Sequence, residues 1–154
     1  MALRDIVKDT DLQLRKKSRD VEVFDAKLAK LLDDMYDTMV KADGVGLAAP
    51  QVGILRNAFV IDTGDVFLEA INPRICAVSG MQNGIEGCLS VVNRNCYVRR
   101  PLTVVVEYYD RHGEKVTREL TGLPARAFCH EYDHLQGILF YDRECPIEKE
   151  EQSI

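Results

Sequence analysis

The 154-residue chain has no tryptophan, no Cys-x-x-C pair and no apolar run approaching the roughly 18 residues of a membrane-spanning helix. Without paired Cys-x-x-C spacings, a structural zinc ribbon or a thioredoxin-like site is excluded. The five cysteines are scattered and odd in number, which argues against a closed disulfide framework and for a reducing compartment. Basic residues never cluster beyond "RKK" at 15–17, and the net charge is −5. A protein that grips phosphates shows a basic stripe, so nucleic acid is not an expected partner. No Gly/Pro/Ser-rich linker or repeat divides the sequence, which predicts one domain over 1–154. The start "MALRDIVKDTD" has neither the apolar core of a signal peptide nor an Arg/Ser-rich amphipathic stretch. A cytoplasmic protein with no membrane association is expected, its acidic tail "EKEEQSI" a solvated terminus.

Residues 25–42 place Leu28, Leu31, Leu32, Met35, Met39 and Ala42 at three- and four-residue spacing. That pattern predicts an N-terminal amphipathic helix, with Asp25 as N-cap and Gly44 near its end. "NAFVID", "FLEAINPRIC", "CYVRR" and "LTVVVEYYD" then read as strands, and "YYDRHGEKVTREL" as a hairpin turning at "DRHG". A second helix is expected over "TGLPARAFCHEYDHLQG", with Thr121 as N-cap, Pro124 in the first turn and Gly137 just past the end. It is apolar around most of its girth and is therefore expected to be buried. The order predicts an α+β fold, with antiparallel β-sheets packed around a central helix that carries H-E-x-x-H.

His130 and His134, four apart on that helix, project side by side and can bind one metal. Glu131 stands where it can take a proton from a metal-activated water. Two histidines hold a metal weakly, and peptidases reading H-E-x-x-H-x-x-G-x-x-H take a third ligand from the last position. Here that position is Phe140. His112 lies in the predicted hairpin turn, where a solvated residue is expected, while Glu144 and Glu148 remain open. Cys88 in "GIEGCLSV" is the better candidate, because a thiolate suits a borderline metal and flanking glycines permit close approach; a structural core cysteine is its alternative. "GVGLAAPQVG" matches the dinucleotide fingerprint but ends a helix, where that fingerprint should follow a strand and open a helix. What remains is a tight backbone segment with one amide, Gln51, able to donate to a developing oxyanion. Asp133 is expected to accept from a ligating imidazole or to pair with Arg126.

Taken together, "GVGLAAPQ" (44–51), "EGCLS" (86–90) and "HEYDH" (130–134) resemble, in order and spacing, the three motifs of the peptide deformylases. The resemblance implies a hydrolase that removes the N-formyl group from the initiator methionine of nascent chains and releases formate. Carried over residue by residue, it makes Cys88, His130 and His134 the metal ligands and Glu131 the general base and acid. Gln51 and the Leu89 N–H would meet the oxyanion, and Val45, Gly46 and Leu47 would line the peptide cleft. Implied too are Fe(II) in the cell, with Zn(II) or Ni(II) able to substitute, attack by metal-bound hydroxide on the formyl carbon, and a transient ribosome contact. The sequence departs from many relatives at Cys129, where glutamine is usual, and at Val92-Asn93, where "EGCLS" is usually followed by Val/Ile-Pro. A zinc peptidase would instead need a downstream Glu or His ligand, and a closed Cys/His binding module a fourth protein ligand.

Overall fold

A computed structural model describes residues 2–147; Glu148 and the acidic tail lie outside the described residues. The first helix, α1 (Ala26–Lys41), begins where Asp25 accepts a hydrogen bond from the Leu28 N–H. It is not at the very start of the chain. An irregular segment with a 3-10 turn at Leu12–Arg15 precedes it. Gly44 lies near its end, as expected. Asp43, at φ 59°, is the left-handed C′ residue, with the Gly44 N–H returning to the Met39 carbonyl at 2.9 Å.

Five strands follow: β1 (Gly46–Ala48), β2 (Ala58–Asp62), β3 (Phe67–Cys88), β4 (Val91–Tyr109) and β5 (Lys115–Thr121). They form one antiparallel sheet in sequence order, where the sequence suggested several sheets. "CYVRR" and "LTVVVEYYD" are one strand that runs through Pro101, and β3 continues twelve residues past the predicted "FLEAINPRIC", to Cys88. Register shifts between Ile71/Arg74, Ile75/Ala77 and Glu86/Cys88 bend this long β3–β4 ribbon. The predicted hairpin turn is present, with the Gly113 N–H donating to the Asp110 carbonyl.

Helix α2 (Leu123–Leu135) carries H-E-x-x-H, and eleven of its 13 residues are buried. Its N-cap is Gly122 rather than Thr121, because the chain turns there at φ 76°, ψ −131°, a conformation closed to threonine. Its other end is a Schellman motif in which Gly137 (φ 79°) donates to the His134 carbonyl and Ile138 to that of Asp133. A Cβ on Gly137 would collide with the Arg15 carbonyl. Strand β2 is buried on both faces: Phe59 and Ile61 pack in the cluster with α2, Val60 and Ala58 in the cluster with α1. Phe59 meets Phe128 edge to face at 4.9 Å. After Gly137 comes a 3-10 turn, Phe140–Arg143, whose Phe140 packs on Val91, Cys96 and Val98 of β4, with a bridge between Val98 and Glu144 just beyond it. Among the described residues no helix is long and apolar enough to cross a membrane.

Candidate active site

Strand β3 ends at Cys88 just where the buried face of α2 passes beneath it. One ligand atom from each of Cys88, His130 and His134 lies within 4.8 Å of the others, and Cys88 Sγ is 3.3 Å from His134 Nε2. His130 uses Nδ1 to bond Glu86 at 2.8 Å, which leaves Nε2 for the thiol side. Burial holds His134 well below the usual imidazole range, so it is neutral and able to ligate. Burial also pulls His130 down, but hydrogen bonds to Cys88 and Glu86 outweigh it and raise the group to about 10. A thiol and two imidazoles converging inside the fold suit a divalent metal, with room for a further, non-protein ligand.

Glu131 is buried beside them, and Oε1 has no hydrogen-bond partner among the described residues. Burial pushes its carboxyl up to about 7, against the pull of His130. Gly46 on β1 faces it so closely that a Cβ there would lie 2.5 Å from Glu131 Oε2. Gln51 sits in a 3-10 turn after β1 (Ala49–Val52). Its Oε1 accepts from the Ala48 N–H at 2.9 Å, which fixes the amide so that Nε2 points to Ser90 Oγ at 3.0 Å and Cys88 Sγ at 3.5 Å. Together these groups open on a cleft of about 370 Å³ that includes Gly44, Val45, Leu89, Leu123 and Arg126. A larger open hollow on α1, walled by Asp33, Asp37 and Glu69, contains none of these groups.

Most of the residues singled out from sequence meet here, but Leu47 does not. Its side chain is fully buried in the α1 cluster, so only its backbone is available to the cleft. His112 is exposed in the hairpin turn, and Glu144 pairs with Arg94 at 3.8 Å on the surface. Cys129 turns away into the core behind α2, and burial pushes its thiol up to about 11.

Neither expectation for Asp133 holds. It pairs with Arg100 at 2.7 Å and with Arg143, while the imidazole partner is Glu86. Seven residues of helix rise about 10 Å, too far for Asp133 to reach Arg126 when β4 inserts Arg100 between them. Arg126 pairs instead with Glu86, which Arg100 also grips through two nitrogens at 2.9 Å. Burial pushes the Glu86 carboxyl up, but the His130 hydrogen bond and the Arg100 guanidinium outweigh it and hold the group well below its usual range. Sequence reasoning missed Glu86, because its partners lie 14 to 44 residues away and its stretch was not predicted as strand.

Residues 3–151 match the family described as polypeptide deformylase. The peptide deformylase of Caldicellulosiruptor bescii is 53% identical over 152 residues, covering 99% of this chain and 92% of its own. In three dimensions the chain is similar to the crystal structure of the Thermotoga maritima peptide deformylase, with a TM-score of 0.92, 41% identity and coverage of 95% and 100%. A Met-Ala-Ser-bound peptide deformylase from Acinetobacter baumannii aligns with a TM-score of 0.89 at 33% identity, over 92% of this chain and 98% of that one. A buried H-E-x-x-H helix facing a strand-end cysteine is thus this chain's form of a shared architecture, and the chain belongs to the polypeptide deformylase family.

Proposed function

We propose that the chain hydrolyses the N-formyl group from N-formylmethionyl nascent polypeptides, yielding formate and a free amino terminus, and that residues 1–154 act as one catalytic domain. One observation carries this reading: Cys88, His130 and His134 converge within 4.8 Å beside a buried, raised-pKa glutamate in a peptide-sized cleft. Those three side chains would hold the metal, Fe(II) in the cell with Zn(II) or Ni(II) able to substitute. A divalent ion there supplies Lewis acidity for the formyl oxygen and acidifies water.

The remaining work belongs to the protein. Glu131, near neutrality in its proton affinity, accepts a proton from the attacking water and delivers it to the departing amine. Gln51 Nε2, pre-aimed by Ala48, and the Leu89 N–H donate to the oxygen that gains charge. The substrate backbone runs along Val45, Gly46 and Leu47, where the missing Cβ of Gly46 leaves room for Glu131. Glu86 fixes the His130 ring through Nδ1, and Arg100 and Arg126 hold Glu86. We place this activity in the cytoplasm, with transient contact at the ribosome where formylated chains emerge.

Formate release from a formyl-Met peptide by anaerobically prepared, iron-loaded protein tests the reading. Glu131→Gln should keep stoichiometric metal and lose about 10²–10⁴ in turnover. Wild-type rates in that variant would refute the proton-transfer role, and undiminished metal affinity in Cys88→Ser would refute the third ligand.

A further inference from the structure

Arg126 lines the cleft although it is buried, and its guanidinium is only partly used. Nη1 donates to Glu86 Oε2 at 2.6 Å and to the Val98 carbonyl at 3.2 Å, and Nη2 makes one long bond, 3.4 Å, to the Gln82 carbonyl. An arginine has five N–H donors. The Nε–H and the second Nη2 hydrogen have no partner among the described residues. Gly84 leaves the guanidinium space, since a Cβ there would come within 3.2 Å of Nη2. Three guanidiniums, those of Arg100, Arg126 and Arg143, bond the carboxylates of Glu86 and Asp133. An otherwise apolar part of the cleft, with Val45, Ile85, Leu123 and Ala127, therefore contains a cation with unspent donors.

The position of that cation matters. Arg126 and His130 are one helical turn apart and both bond Glu86, so they share a face about 6 Å apart along the axis. Five bonds separate a formyl carbon from the sulfur of the methionine it caps, an extended reach of roughly the same length. With the formyl group at His130, the end of the first side chain comes beside Arg126.

Resting on the deformylase reading, we infer that Arg126 lets this enzyme deformylate chains whose initiator methionine has been oxidised to the sulfoxide. Oxidation turns a weakly accepting thioether into a strong acceptor. A wholly apolar pocket would strip water from the S=O group and return nothing. Arg126 returns a charge-assisted hydrogen bond. The chemistry is unchanged: water cleaves the formyl C–N bond, formate leaves, the amine keeps the proton, and sulfur stays at the sulfoxide level.

The test compares formyl-Met-Ala-Ser, its methionine-sulfoxide form and its norleucine form as substrates of the iron-loaded wild type. The sulfoxide peptide should retain kcat/KM within about tenfold of the methionine peptide and should exceed the norleucine peptide, since one bond to a charged donor is worth about tenfold or more. In Arg126→Met the sulfoxide-to-methionine ratio should fall by about 10- to 100-fold, and Arg126→Lys should restore part of it. Damage relayed through Glu86 to the metal ligands lowers all three substrates together and leaves the ratio alone. Calorimetry with the deformylated tripeptides gives a second readout, in which Met-sulfoxide-Ala-Ser binds wild type at least as tightly as Met-Ala-Ser. A wild-type sulfoxide peptide slower by a thousandfold, or a ratio unmoved in Arg126→Met, overturns the inference while leaving the deformylase reading intact. No formate from formyl-Met-Ala-Ser overturns both.

Discussion

Gly46 and Glu131 share a space that admits a carboxylate or a methyl group, but not both. Gly46→Ala is therefore expected to displace Glu131 and to lower kcat by about 10² or more, with metal content unchanged by elemental analysis. Glu86 shows the same economy in a charged setting. With two guanidiniums and an imidazole on one carboxylate, its neutral isostere leaves Arg126 without a counter-charge and Arg100 with Asp133 alone. Glu86→Gln should cost about 3 kcal/mol in denaturant unfolding of the metal-free protein. The sign of its pH dependence follows from the depressed carboxyl. Its contribution is complete above the unfolded-state value near 4 and is lost as pH falls below it. Wild type should thus lose stability steeply from about pH 4 downward, and Glu86→Gln less so. Cys88, His130, His134 and Glu131, which the structure brings together, could be singled out in the sequence because each sits in a short local motif. Glu86, Arg100 and Arg126 acquire their meaning from partners 14 to 44 residues away, and no local pattern announces such pairs.

Elements were legible where one periodicity governed them. Helix α1 follows its apolar spacing and its Asp25 cap, while α2 was readable as buried because nearly every face is apolar. Strand β2 is short and buried on both sides, a plain apolar run. Less legible was the β3–β4 ribbon, whose exposed arm carries small and polar residues that look like loop, and whose continuity through Pro101 comes from pairing across the strands. The end of α2 is an element-scale lock. Gly137 is needed for its positive φ and again for the passage of the Arg15 carbonyl. Gly137→Ala should destabilise the protein by more than the 1 kcal/mol or so of backbone strain alone, read as a lowered Tm. Cys129, one residue before the first histidine, is held protonated by burial. At pH 8 iodoacetamide should label the exposed Cys76 rapidly and Cys129 only on unfolding, as mass spectrometry of the native protein would show.

At the scale of the molecule, β1 and β2 separate two cores, one built with each helix, and the cleft opens where β1, the end of β3 and α2 meet. The segment before α1 completes this arrangement from outside. The Val7 N–H donates to the Gln51 carbonyl and the Asp9 N–H to that of Ser90, so the first turn of chain backs two residues at the cleft. The same segment meets the far end of the chain: Tyr141 donates to Asp9 at 3.0 Å, Arg15 pairs with Asp142, and the Ser18 N–H reaches the Leu135 carbonyl. Those contacts join residues more than a hundred apart, so Asp9, Arg15 and Ser18 gain these partners only once α2 and the turn after it have been made. Closure of the fold then comes as a late event with a large loop to close, and the backing of the cleft arrives with it. An enzyme whose substrates are chains still being made thus depends on contacts that its own chain can close only after α2 is synthesised.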